Sequence, residues 1–549
     1  MLMPQTLPDD AKVTLTFTNN TTPAISASLK GQKWEEGKLV TYTLHESTQP
    51  EYIYLDLAAG NVTINATTYS GARYEKTGEE SLVLVTKTNE SYKASEDVVF
   101  YVYQSTETTR KAGKGIIQDG KFISPGYDQV KHGIQLWRDY ITNNTDVDAV
   151  IENWVTDAKT AGREGTKYRI QVNAAANTSY KLIIDDVYST FQTQSQSRKD
   201  GGIAFEPETL NKCTLTVNTI GDSRLGNIHY YNKTNNGSKL IFEGEGSLTV
   251  ADVNNNKQKC SDGFYNGTGY YSNHYCSAIG GNDDGIREVC YGIIINSGVL
   301  FAGSTVAENC SAIGGGGNGL GEVTINGGVV TAVAATTGTA IGGGIGFSSL
   351  GGKGIVTITG GNVYAYNLDN KRGIPSSAIG GAGSNRSTGT DGTVNISGGY
   401  VYAYSALGTA IGGGSSRTLK GGDAEVNITG GTVIAKSGKG AGIGGGSACT
   451  GGNASANYNG GTATITISGD PIIRTGSVGG GSTGAGNGKI GSANITIGGG
   501  DIQAQFILAA GAKADPEFTM TGGTIRNSST ADTEYLHIKE QGGAVWLED

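Results

Sequence analysis

The sequence predicts a mostly β protein: a right-handed parallel β-helix, three short strands per coil, preceded by a capping helix and an N-terminal β-sandwich. Three observations lead there. Glycine supplies 89 of 549 residues, about twice the usual share of about 7%. That disfavours helices, because glycine costs about 1 kcal/mol per helical position relative to alanine. A short phrase, Ile-Gly-Gly or once Val-Gly-Gly, begins at Ile279, Ile313, Ile341, Ile379, Ile411, Ile443 and Val478, at intervals of 34, 28, 38, 32, 32 and 35 residues. Two alternating phrases accompany it, such as Val356-Thr357-Ile358 and Val363-Tyr364-Ala365-Tyr366. Glycine does not recur every third residue, which excludes collagen.

Taken in order, residues 1–105 carry alternating runs at Val13–Phe17, Leu39–Leu44, Ile53–Leu57, Val62–Ala66 and Val98–Tyr103. Closely spaced turn residues separate them, which is the pattern of an antiparallel sandwich. The segment GQKWEEGKLVTYTL (31–44) resembles the strand-turn-strand of bacterial fimbrillin-like sandwich domains. Residues 106–165 read as a linker and one amphipathic helix. Asp146 caps it, Val147, Val150, Ile151, Trp154, Val155 and Ala158 share a face, and Gly162 ends it. Its expected task is to cover the open end of the solenoid.

Residues 166–549 are the expected β-helix. One coil cannot bury its own inner face, whereas stacked coils about 4.8 Å apart enclose a continuous aliphatic column. Leu182–Ile184, Leu215–Val217, Leu240–Gly244 and Ser247–Val250 read as degenerate early coils. Gly542-Gly543-Ala544-Val545-Trp546 reads as the opening of another coil, with no cap after it. The expectation is therefore a chain cut from a longer surface protein. The start, Met1-Leu2-Met3-Pro4, has neither the basic region nor the apolar run of a secretory signal.

The balance of 41 basic and 50 acidic side chains, net −9, does not suit tracking of phosphate backbones, so a nucleic-acid partner is not expected. No stretch approaches 18 continuous apolar residues, so no transmembrane helix is expected. The six cysteines (213, 260, 276, 290, 310 and 449) form no Cys-x-x-Cys pair, which argues against zinc. Cys276 and Cys310 each precede an Ile-Gly-Gly phrase by three residues and should be neighbours in successive coils.

Three patches are candidate sites. In the first, Tyr364, Tyr366, Tyr402 and Tyr404 should stack outward on adjacent coils, in one file with Phe301. Such a row is either a platform for sugar rings or a stack that stabilises the sheet surface. In the second, Tyr265, Tyr270, Tyr271 and Tyr275 crowd an insertion between Cys260 and Cys276. It is either a binding loop or a cover for apolar surface. The third is Asn282-Asp283-Asp284, either a Ca²⁺-holding turn or a solvated acidic one. No other cofactor is expected.

Catalysis has little support. The histidines are His45, His132, His229, His274 and His537, none in the regular coils 277–523, so hydrolytic triads have no base there. Of the phrases that recur in β-helix pectin hydrolases, Asp283-Asp284 occurs but Gly-His-Gly and Arg-Ile-Lys do not. A lyase would have Arg287 beside Asp283 and Asp284 as its basic residue.

At the AIGGG…VTITGG.VYAY repeats, the chain resembles Gly-rich parallel β-helix segments of large, adhesin-like bacterial cell-surface proteins. SKLIFEGEGSLTV (238–250) is similar to the coil phrase of non-catalytic carbohydrate-binding β-helix modules. The resemblance implies an extracellular protein that adheres or binds a glycan or host-surface ligand. A polysaccharide lyase or hydrolase of β-helix fold and a structural stalk segment remain the alternatives.

Overall fold

The structure, a computed structural model, describes residues 5–6, 8, 11–15, 25–28, 33–34, 50–76, 82–93, 97–104, 116–118, 121–123, 165–189, 201–251, 277–282, 288–304, 310–334, 338–346, 351–368, 374–448, 458–483, 489–508, 517–527, 536–540 and 543–547. They fall into two compact units. The smaller, Met1–Glu51 with Ser95–Asp97, holds two antiparallel pairs. Gln5–Thr6 lies against Lys33–Trp34, and Lys12–Leu15 against Ile25–Ser28.

The larger unit, Tyr52–Ala94 with Val98–Asp549, is a stack of parallel strands in the arrangement of a parallel β-helix. Each regular coil contributes one strand to each of three faces. The coil at 354–380 illustrates this: Gly354–Ile358 lies on the first face, Asn362–Asn367 on the second and Ile379–Gly380 on the third. Each pairs in parallel, in register, with its counterpart in the next coil. The file Ile341, Ile379, Ile411 is aligned residue on residue, and all three side chains are buried.

Alternation along the strands explains what fills the column. Val356, Ile358, Val363 and Ala365 point inward and are buried, as are Val394, Ile396, Val401 and Ala403 one coil on. Burying an aliphatic side chain of this size stabilises by about 1.5–3 kcal/mol. The repeat places three or more of them in every coil.

Glycine is demanded at two kinds of corner. Gly342, second in its Ile-Gly-Gly phrase, has φ +135°, and a Cβ there would lie 2.2 Å from the carbonyl oxygen of Gly380. Gly361, after the first strand, has φ +81°, and a Cβ would meet the backbone of Gly327 at 2.7 Å. A side chain would thus be strained in conformation and blocked by the coil stacked on it.

The structure moves the boundary expected from sequence. The runs at 53–57, 62–64 and 98–103, expected in an antiparallel sandwich, lie in the solenoid sheet. Val62–Ile64 pairs in parallel with Ile170–Val172, and Val99–Tyr103 with Lys181–Asp185. Alternation reads the same whether a strand is paired in parallel or antiparallel, so the pattern did not discriminate. The hairpin Thr68–Lys76 and Leu82–Ser91 takes the other edge of Val62–Ile64. Its Tyr69 and the nearby Tyr92 pack edge-on against Phe100, at 6.0 and 5.1 Å between ring centroids. A hairpin therefore protects this edge. The helix expected at 147–161 lies outside the described residues. In the linker, Ile116–Gln118 pairs antiparallel with Lys121–Ile123.

The degenerate coils are where the sequence placed them: Leu215–Val217 pairs with Leu240–Phe242, and Ser247–Ala251 with Val299–Gly303. At the far end, Gly543–Leu547 does not open another coil. It folds back antiparallel on Leu536–Glu540.

Candidate functional site

The second face carries the aromatic file. Thr249, Phe301, Thr331, Tyr364, Tyr402, Ile434 and Arg474 follow one another in register, and Val333, Tyr366, Tyr404 and Lys436 form the file beside it. The four tyrosines predicted as a stack are thus aligned, and Phe301 shares their file. Ring contact runs on the diagonal. Tyr364 meets Tyr400 at 5.8 Å between centroids and Tyr366 meets Tyr402 at 5.5 Å, both tilted. The sequence reading passed over Tyr400, although it occupies the position before Val401 that Asn362 and Thr432 hold in neighbouring coils.

Exposure divides the row. Phe301 and Tyr366 are only 4% and 8% exposed, with Thr331 and Val333 between them also buried. They point away from the aliphatic column yet are almost wholly buried, so the open row begins at Tyr364 and not at Phe301. Tyr364, Tyr400, Tyr402 and Tyr404 are half-buried, next to half-buried Ile434 and to Ile472 at 42% exposure. Burial raises the pKa of Tyr400 and Tyr402, and their tyrosine neighbours add to the shift. Both phenols are neutral at physiological pH. The ammonium of Lys436 stands 5.7 Å from the centre of the Tyr402 ring, within cation–π range.

The first face presents a different surface. Its outward positions mix Thr and Asn with Glu322, Ile355 and Glu425, and amides bridge its coils: Asn427 Nδ2 donates to Asn395 at 3.0 Å on the strands, and Asn326 Nδ2 to Asn296 at 2.9 Å in the turn that follows them.

A second constellation was not foreseen. His229, on the third face, is wholly buried. Its Nδ1 lies 3.1 Å from Glu206 Oε1 and its Nε2 3.0 Å from Glu288 Oε2. Burial alone would lower the imidazole pKa, but the two carboxylates more than reverse this and raise it to about 9. The group is a cation held between two anions. Glu288 also accepts the backbone N–H of Asn282. Asn282, a predicted cation ligand, is itself buried, and its side-chain amide has no hydrogen-bond partner among the described residues. Asp283 and Asp284 lie outside the described residues, as do Arg287, Cys276 and the loop tyrosines Tyr265, Tyr270, Tyr271 and Tyr275. Among the described residues, no group of three His, Cys, Asp or Glu side chains is placed to hold a metal. The signal for His229 was present in the alternation. Ile228 and Tyr230 face the core, so His229 faces out, where Gly280 follows it in the next coil.

Cys290 is a buried free thiol, and Cys310 is buried as well. Burial pushes the Cys290 thiol well above its ordinary pKa, so it packs as a small apolar group. No helix among the described residues is long and apolar enough to cross a membrane.

A three-faced parallel solenoid bearing one aromatic face is the class of protein that fold and site define. Comparison with protein-family models, curated proteins and solved structures finds no match for this chain.

Proposed function

We propose that this protein is a non-enzymatic binding scaffold, displayed on a bacterial cell surface, that adheres to a glycan through the tyrosine face of its solenoid. One observation carries the reading: Tyr364, Tyr400, Tyr402 and Tyr404 lie on adjacent coils and are each partly exposed to solvent. A sugar ring buries its C–H face on such a surface, and tyrosine offers large contact area at little cost in rotamer freedom. The backbone beneath is paired on both sides, so the platform is built before the ligand arrives and little ordering cost accompanies binding.

Polysaccharide cleavage draws less support. The imidazole–carboxylate cluster at His229 has the residue types for acid–base work, but the imidazole is wholly buried. A general base must come within hydrogen-bond reach of substrate.

The test is a glycan array probed with the whole chain and with the Tyr364→Ala/Tyr402→Ala double variant. We expect discrete glycan hits that the double variant loses while its circular dichroism stays unchanged. Hits of equal strength in both proteins would remove the tyrosine face from the account, and no hit at all would leave the stalk reading in its place.

A further inference from the structure

The charge around the tyrosine face narrows the ligand. This inference rests on the glycan-binding reading above. Strands of this face run Val329–Ala334, Asn362–Asn367, Tyr400–Ser405, Thr432–Ser437 and Ile472–Thr475, and none of them contains an aspartate or glutamate. Across the same coils the first face places Glu322 and Glu425 on its strands, and the tyrosine face meets its next acid at Asp501, one coil past Ile472. In a chain of net charge −9, five successive strands without an acid form a local departure from the surface average.

Two cations stand among those strands, and they differ. Arg474 is already committed: its guanidinium holds Asp501 of the next coil at 2.9 Å. Lys436 is exposed, forms no ion pair among the described residues, and reaches over the Tyr402 ring. The acidic residues nearest in sequence to these strands are Asp369, two residues past Asn367 and outside the described residues, and Asp470, in the turn ahead of Ile472 and one coil beyond Lys436. An ammonium held over the Tyr402 ring, with no carboxylate paired to it among the described residues, is arranged to meet an anion borne by whatever lies on the rings.

We propose that the tyrosine face binds an anionic glycan, the sugar ring lying on Tyr364, Tyr400 and Tyr402 while its carboxylate or sulfate accepts a hydrogen bond from the Lys436 ammonium. The division of labour follows from the energetics. Ring contact supplies area without regard to charge, and the charge-assisted hydrogen bond supplies selection for the anion. Lysine suits the role because its compact ammonium on a flexible stem adapts to an anion at a sugar substituent without demanding a planar partner.

The experiment is affinity electrophoresis of the whole chain through gels containing polygalacturonate, fully methyl-esterified polygalacturonate, dextran sulfate or unmodified dextran. Retardation by a charged polymer should exceed that by its neutral counterpart. Lys436→Gln should weaken the charged case roughly tenfold, the loss expected for one hydrogen bond to a charged group, and Lys436→Arg should restore most of it. Lys239→Gln, an exposed lysine on the first face, should change nothing. Comparing the uronate and sulfate gels tells which anion is meant. Equal retardation by charged and neutral polymers, unaffected by Lys436→Gln but abolished by Tyr364→Ala/Tyr402→Ala, would overturn the anionic specificity and leave the platform standing. Equal loss on Lys239→Gln and Lys436→Gln would overturn it as unspecific attraction. No retardation by any polymer would overturn both this inference and the reading beneath it.

Discussion

The early coils, up to about residue 250, and the regular coils from Ile313 to Val478 share one strand arrangement but are held by different means. In the regular coils, glycine stacks on glycine beside the isoleucine file of the third face, and the corners close by backbone bonds and neutral hydroxyls: Gly343 donates to the Gly380 carbonyl at 3.1 Å, Gly413 to that of Gly444 at 2.9 Å, and the Thr409 hydroxyl to that of Gly445 at 3.0 Å. In the early coils, charged side chains join in the closing. Arg224, 2% exposed, pairs with Asp222 at 3.1 Å, and Asp222 also accepts the Ser247 hydroxyl at 2.7 Å. Tyr101 donates to Asp185 at 2.6 Å, and His229 sits between two glutamates. The contrast is sharpest in a single file, where Ala204 and His229 precede Gly280, Gly314, Gly342 and Gly380. Where the residue is glycine, the coils close against each other by main-chain contact. Where it is histidine, a buried charge network does the joining.

The sharpest way to break that comparison is to remove one member of a buried pair. Arg224→Met should destabilise the larger unit by about 3–5 kcal/mol, because Asp222 is left charged and buried. Chemical denaturation of the whole chain checks this, and a change within about 0.5 kcal/mol would mean that the early coils do not depend on their charges. Next in size is Gly342→Ala. Positive φ and the Gly380 carbonyl both oppose a Cβ, so a loss of more than about 1 kcal/mol is expected. It should be confined to neighbouring coils, because solenoid repeats contact only their neighbours. Hydrogen exchange should show raised rates around 313–412 and unchanged protection around 215–250.

The most selective effect is that of pH. The folded-state pKa of His229 is raised from 6.5 to about 9, so the folded state binds the proton more tightly than the unfolded one. Its contribution is complete below pH 6.5 and is lost as pH rises through about 9. Stability of the early coils should therefore fall between pH 6.5 and 9, while regular coils, which place no histidine in their core, should not respond through this group. A His229→Gln variant with the same slope over that window would show that another residue is responsible.

How much was legible follows from the same comparison. The tyrosine files, the stacked isoleucines and the positions of the early coils were readable, because each rests on period-two alternation repeated at a fixed interval. The limits of the solenoid were not. Ile53–Leu57 and Val98–Tyr103 alternate like any strand, and only pairing partners decide whether they belong to a sandwich or to a coil. The exposure of Phe301 and Tyr366 was likewise hidden, since alternation says which side a residue faces and not what covers that side. The charge network escaped because Glu206, His229 and Glu288 are unrelated in spacing and meet through coils of irregular length.

By itself, then, the sequence determined the architecture of one coil and the register between coils, because glycine at a crowded corner and an aliphatic residue at every second strand position leave few other ways to bury the chain. Tertiary structure alone decided which strands begin the stack, which outward rings remain open to water, and which distant charges neutralise one another. Those outcomes depend on distances between segments far apart along the chain, and no local pattern encodes them.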